Sequence, residues 1–460
     1  MLFNSYPFLL VFLPTAIVIY RIVDPWPRLR IPTLVVLSLI FYGYWDPRFV
    51  FLLAGSILVN WLAASYYVAT KTGAFITAAI IADLAVLGLF KYANFFADSI
   101  GSLVGTSIGH LSLGLPLGIS FFTFHHVMYL VDLRRGRAEI CSLDRYALYI
   151  CFFPQAIAGP LARWSEVGKQ YGHEVFAPGW ERRCALGTTF IIIGLIEKTV
   201  LGDPLGRMLD PIYAQAAAGP VTDGSAWFAL GFGFQIFFDF AGYSDIAIGL
   251  GLIFGIELPL NFNAPFRASS ILEFWQRWHM TLSRFLRDYV FVPLSDIRLA
   301  GRRHTMAQYG AAIVLTMMLC GLWHGAGWNF VLWGTLQGLA IVLALGWRTF
   351  LPSPPWLMGW AITIAFVLLC GVIFRAGTLQ AAWHVFAGLA TVPDPSKITH
   401  PSISAVGALC AILLPSSRDL SVRLNEKPRA VIAVMLALAG VAILVQLGSE
   451  QSYEFIYFQF

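Results

Sequence analysis

One histidine interrupts a long uncharged stretch. From Thr305 to Trp347 the chain has no Asp, Glu, Lys or Arg, and His324 lies near its centre, in "CGLWHGAGWNFVLWG" (320–334). An ionisable side chain at membrane depth marks a working site by default. Desolvation keeps an imidazole neutral, so it can accept a proton. Trp323, Trp328 and Trp333 flank it, and Gly325 and Gly327 invite a helix to end there. The apolar run before it, 309–323, is about 22 Å long as a helix, too short to cross the hydrocarbon. His324 is therefore expected at a helix end inside a membrane, as a general base. A neutral core histidine, hydrogen-bonded and inert, is the alternative reading. Acyl transfer suits such a base: a hydroxyl gives up its proton as it attacks a thioester, and a water-poor pocket protects the acyl group from hydrolysis.

A second candidate lies in "SSILEFWQRWHMTLSRFLRDYVFVPL" (269–294). Ser270 and Glu273 have capping-box spacing, which opens a helix. Glu273, Arg277, Arg284 and Asp288 fall on one helical face, with 273/277 and 284/288 at i,i+4 spacing. Trp275, Trp278, His279, Leu282 and Leu286 fall on the other. The pattern predicts one amphipathic helix at the membrane interface, with His279 on its apolar side. A structural histidine bonded to a backbone carbonyl is the competing reading. Asp239 and Asp245 stand in another apolar run, 234–266, where they could line a polar path, and are expected rather to pair with an arginine such as Arg277 or Arg284. The tandem His125–His126 has no carboxylate or cysteine spaced to complete a metal site, so no metal is expected. Cys320, one turn before His324, reads as packing. The six cysteines (141, 151, 184, 320, 370, 410) form no CxxC and read as buried free thiols.

The elements that must hold these residues are apolar. The chain is 58% hydrophobic and 12% charged, against roughly 25% charged in soluble domains. That composition makes it an all-α polytopic membrane protein. Apolar runs at 7–23, 31–45, 49–68, 74–90, 185–201, 226–256, 309–323, 328–346, 356–374, 402–415 and 429–447 predict about 11 crossings. Two stretches, 111–137 and 149–163, carry Gly and Pro breakers and read as re-entrant, which requires protein or a polar cavity around them. No internal repeat is visible, which disfavours an inverted-repeat transporter. The net charge of +5 is spread along the chain, without the basic arm that nucleic acid would call for. The N-terminal run lacks a basic leader and a small-residue cleavage site, so it is expected to be a retained span. Arg21, Arg28 and Arg30 follow it, which predicts an external N-terminus and a cytoplasmic first loop. The ending "EQSYEFIYFQF" holds five aromatics, read as an interfacial belt or a docking strip for a partner.

The two histidine stretches, with "LPLGISFFTFHHVMYLVDLRRG", "FFPQAIAGPLAR", "FDFAGYSDIAIGLGLIFGIELPLNFNAPF" and "EFIYFQF", resemble the membrane-bound O-acyltransferase family over nearly the whole chain. The resemblance implies one transmembrane domain over 1–460, with a catalytic core near 111–346 and C-terminal spans in 355–460. Re-entrant and interfacial helices would form a central funnel. His324 is similar to the family's invariant histidine, and His279 to the histidine of its "RWH" motif. The doubled His125–His126 departs from the pattern. The resemblance further implies acetyl-CoA as donor substrate, no bound cofactor, and an acceptor such as alginate or another extracytoplasmic polysaccharide. A periplasmic SGNH-type partner would finish the modification, and the site of action would be the bacterial inner membrane, among its lipids. D-alanyl transfer to teichoic acid keeps the mechanism and changes the cargo, although an Arg-rich, Lys-poor composition leans against it. A non-enzymatic transporter is the alternative from another class.

Overall fold

Backbone groups in hydrocarbon have only each other for hydrogen bonding, so an uninterrupted apolar segment folds as a helix. In the computed structural model, which describes residues 1–112, 114–296, 305–426, 430–449 and 454–456, the chain is helical and no strand occurs among the described residues. The α-helices are α1 (Leu13–Val23), α2 (Pro27–Gly43), α3 (Arg48–Thr70), α4 (Ala74–Val104), α5 (Ile119–Arg134), α6 (Leu143–Cys151), α7 (Trp164–Val167), α8 (Trp180–Ile196), α9 (Asp203–Ala218) and α10 (Phe232–Ile253). There follow α11 (Ile271–Arg277), α12 (Met280–Phe285), α13 (Val292–Ser295), α14 (Met306–His324), α15 (Trp328–Phe350), α16 (Trp356–Arg375), α17 (Leu379–Gly388), α18 (Ser402–Leu413), α19 (Ser417–Glu426) and α20 (Ala430–Ser449).

Among the described residues, eight helical stretches are long and apolar enough to cross a membrane, or nine if α18 and α19, bent by 68° at their junction, make one broken span. The expected count of about 11 is not reached among the described residues. The runs at 7–23 and 31–45 form helices of only 17 residues, Pro7–Val23 and Pro27–Gly43, and the run at 402–415 ends at the bend.

The residues form two compact units. The first comprises 1–195, 243–260 and 421–454. In it the two stretches read as re-entrant behave differently. Residues 119–134 form the buried helix α5, entered through Gly118 at φ 71°, where a Cβ would run into the Ala156 backbone. Residues 152–162 are irregular and wholly buried, and protein groups bond to several of their polar atoms. Phe153 N donates to Ser38 Oγ at 3.1 Å, and Gln155 Nε2 donates to Tyr149 O at 2.7 Å. His125 Nδ1 lies 2.9 Å from Phe121 O, while His126 lies 2.7 Å from Tyr146 OH and 3.2 Å from Ser56 Oγ. Arg30, counted above as a loop cation, is buried on Asp24 O at 2.6 Å, so the topogenic charge rests on Arg21 and Arg28.

The second unit comprises 196–242, 261–420 and 455–460. The part of α10 in it, Phe232–Gly242, is buried on all sides, as a helix apolar all round should be. Its Asp239 pairs with Lys198, not with an arginine as expected, and Lys198 also meets Asp203 at 2.6 Å. All three side chains are buried. A lysine two helices upstream in sequence was free to reach this carboxylate, and pairing removes the heavy cost of an isolated buried charge.

Candidate active site

The stretch 269–294 does not form one helix. Ser270 Oγ accepts the Glu273 N–H at 3.2 Å and opens α11, and Arg277 pairs with Glu273 at 2.8 Å, as the spacing predicted. The helix then stops. His279 adopts φ 40°, ψ 54°, the left-handed region that a non-glycine residue occupies only when its surroundings hold it there. The chain restarts as α12 and continues through a π-turn at Leu286–Phe291. Asp288 pairs with Arg287 at 2.7 Å.

The break has a cause in the chain beside it. Asn263 N donates to Arg277 O and Met280 N donates to Asn261 O, both at 2.9 Å, so residues 261–263 clamp the backbone on either side of His279. The Asn261 side chain completes the clamp. Its Oδ1 accepts from Thr281 Oγ1 at 2.9 Å and from the Thr281 N–H at 3.4 Å, and His279 Nδ1 lies 2.9 Å from the same oxygen. A backbone N–H can only donate, so the Asn261 atom facing it is the amide oxygen. His279 Nδ1 must then carry the proton, and Nε2 bears the lone pair. Nε2 is buried and has no hydrogen-bond partner among the described residues. Burial holds the imidazole down at about 3, so it is neutral at physiological pH.

His324 is the last residue of α14, which a capping box between Thr305 and Gln308 starts three residues earlier than the apolar run. At 19 residues, about 28 Å at 1.5 Å per residue, α14 is long enough to cross a membrane. The expectation of a helix too short to cross therefore fails, and the helix does end at His324 as expected. Gly325 and Gly327 are both extended, and α15 turns back along α14. The two helices touch backbone to backbone: a Cβ on Gly321 would overlap Phe330 O, and one on Gly334 would overlap Met317 O. Asn329 Nδ2 donates to Ala376 O at 2.8 Å and ties the start of α15 to the end of α16.

These contacts place His324 in an aromatic box. Its ring lies 4.6 Å from Trp323, 5.1 Å from Phe374 and 5.3 Å from Trp333, the last two near edge-to-face. His324 is only 5% exposed, and it lines a pocket. Phe232, Phe266, Trp275, Trp278, Trp333 and Phe374 wall the cavity, and Gln337 adds a second polar group, accepting from Trp275 Nε1 at 3.2 Å. The site is thus apolar, with one imidazole and one carboxamide as its chemistry. His279 does not line this cavity. The two histidines meet through one indole, His279 lying 6.2 Å from Trp323 between ring centroids.

Two polar residues of this cluster escaped the sequence reading. Gln337 stands one turn from Trp333 on α15, and a glutamine in an uncharged span was the signal. Asn261 sits in "LPLNFNAPF", where an asparagine among apolar residues was the signal. The tail reading also changes. Ile456 N donates to Asp239 Oδ2 at 2.8 Å, and Phe455 packs 5.8 Å from Phe240, which stands 4.6 Å from the His279 ring. Phe455 and Ile456 are buried, so they are not an exposed docking strip, and 450–453 and 457–460 lie outside the described residues.

Residues 62–384 match the membrane-bound O-acyltransferase family. The chain is 35% identical to a peptidoglycan O-acetyltransferase of Helicobacter pylori, over 85% of this chain and 80% of that protein. It is 37% identical to a "probable alginate O-acetylase" of Pseudomonas aeruginosa, over 85% of this chain and 75% of that one. It is also 30% identical to a teichoic acid D-alanyltransferase of Streptococcus thermophilus, over 58% of this chain and 69% of the relative.

Proposed function

Since the chain belongs to the membrane-bound O-acyltransferase family and is a multi-pass membrane enzyme of that class, we propose that it moves acetyl groups from acetyl-CoA towards an extracytoplasmic polysaccharide, with His324 as the general base. The observation that carries the assignment is His324 at the wall of an aromatic cavity whose other polar lining group, Gln337, cannot take up a proton. His324 accepts the proton of an acceptor hydroxyl as its oxygen attacks the thioester carbonyl. The carbon–sulfur bond then breaks, and the imidazolium returns the proton to the departing thiolate, so protons balance over the cycle. The Gln337 amide orients the acyl group, and the rings exclude the water that would hydrolyse it. His279 Nε2 supplies a second acceptor beside Trp323.

The polysaccharide reading draws on relatives named as a peptidoglycan O-acetyltransferase and a probable alginate O-acetylase. A bacterial inner-membrane location and a periplasmic SGNH-type partner that finishes the transfer belong to the same proposal. The likeness to a teichoic acid D-alanyltransferase favours a second reading, in which the cargo is D-alanyl delivered from a carrier protein by the same base. Purified full-length protein in proteoliposomes, given radiolabelled acetyl-CoA or D-alanyl carrier with and without a periplasmic partner, separates the two. Label leaving acetyl-CoA and reaching partner or polymer supports the acetyl reading. Turnover of the D-alanyl donor alone would replace it with the second, and transfer from neither would overturn both.

A further inference from the structure

We infer that Asn261 is a positioning residue of the transferase, holding His279 in the tautomer and orientation that leave Nε2 as an acceptor with no protein partner among the described residues, for a hydroxyl or amide donor of the substrate. The inference rests on the acyl-transfer reading and deepens it. Asn261 is 1% exposed, and its carboxamide oxygen is the one hydrogen-bond partner of the His279 ring among the described residues. That oxygen also caps the first turn of α12 through the Thr281 N–H, one of the donors a helix start leaves unsatisfied. One atom thus secures the helix restart and the ring direction together. The geometry has a functional reading because of what it leaves over. His126 satisfies both nitrogens, on Tyr146 and Ser56, whereas His125 bonds Phe121 O and leaves Nε2 unpartnered among the described residues, but from within the regular helix α5. His279 satisfies one and presents the other, held by a backbone in the left-handed region, beside the indole that also touches His324. A lone pair held this way takes a donor that arrives with the substrate, and the chemistry in question supplies one, the hydroxyl of the acyl acceptor.

The test is a double-mutant cycle on the full-length protein, read as acetyl transfer from radiolabelled acetyl-CoA. Asn261→Ala should lower kcat by about tenfold or more with little change in donor KM, while adding no further loss to His279→Ala, because a residue acting through His279 has nothing left to act on. Asn261→Asp keeps an acceptor oxygen for both Thr281 and Nδ1. It should recover most of the activity and preserves the test if the alanine variant does not fold. A full, additive loss in the His279→Ala background would make Asn261 a structural residue and overturn the inference. Asn261→Asp as inactive as His279→Ala, although folded, would do the same. Absence of transfer by the wild type would count against the acyl-transfer reading and is distinct from either result.

Discussion

The His279 ring and the Trp323 ring lie 6.2 Å apart, although 43 positions separate them in sequence, and the same indole stands 4.6 Å from His324. Trp323 is therefore the physical link between the two histidines. Trp323→Phe should keep an aromatic contact to both and retain much of the activity. Trp323→Ala removes the link and opens space beside both rings, and its kcat should fall towards that of a single-histidine variant at normal expression. Equal activity of the alanine and phenylalanine variants would show that the link has no role.

His324→Gln roughly preserves volume in a box of three rings but cannot take up a proton. Transfer should fall by about 10²–10⁴, the usual contribution of a general base, while the protein inserts and melts like the wild type. Measured at matched protein levels, near-normal transfer by this variant would return His324 to the role of a core histidine.

Cavity size offers a prediction that does not touch either histidine. A Cβ on Gly371 would sit 3.5 Å from Phe232 Cδ1, an ordinary contact, so Gly371→Ala should be tolerated. Gly371→Leu projects into the cavity and should raise donor KM by about tenfold with a smaller effect on kcat, provided the melting temperature holds. A donor KM unchanged by leucine would move the donor site elsewhere.

The Lys198 cluster predicts a ranking of stabilities. Lys198→Met leaves Asp203 and Asp239 buried without their cation and should destabilise by about 3–5 kcal/mol, the range for breaking a buried pair. Asp239→Asn keeps an acceptor for the Ile456 N–H, and Lys198 keeps Asp203, so the loss should be smaller. Thermal unfolding in detergent reads the order, and a milder effect of Lys198→Met would contradict it.

Topology is testable in the first loop. Asn4 is buried and would resist labelling from either side, whereas Trp26 is 54% exposed and lies between Arg21 and Arg28. With this loop in the cytoplasm, Trp26→Cys should react with an impermeant maleimide only after spheroplasts are lysed. Labelling of intact spheroplasts would invert the orientation.

Composition and hydropathy by themselves determined the helical membrane architecture, because a backbone in hydrocarbon has no choice but to bond to itself. The two histidines were legible for the same reason: a titratable group in an apolar run stands out without any fold. The Glu273–Arg277 pair and the start of α11 were legible because they depend on residues within one turn. Tertiary structure decided what depends on segments distant in the chain. The amphipathic pattern of 269–294 is compatible with one helix, and only the strap at Asn261–Asn263 breaks it and turns His279. Asp239 could have met any cation, and packing chose Lys198. His324 became part of a cavity because Gly321 and Gly334 let α14 and α15 touch, and because Asn329 draws Phe374 against the ring. Periodicity reports which face of an element is apolar. It does not report which distant face will cover it, and that covering is what gives His279 its tautomer and each histidine its neighbours.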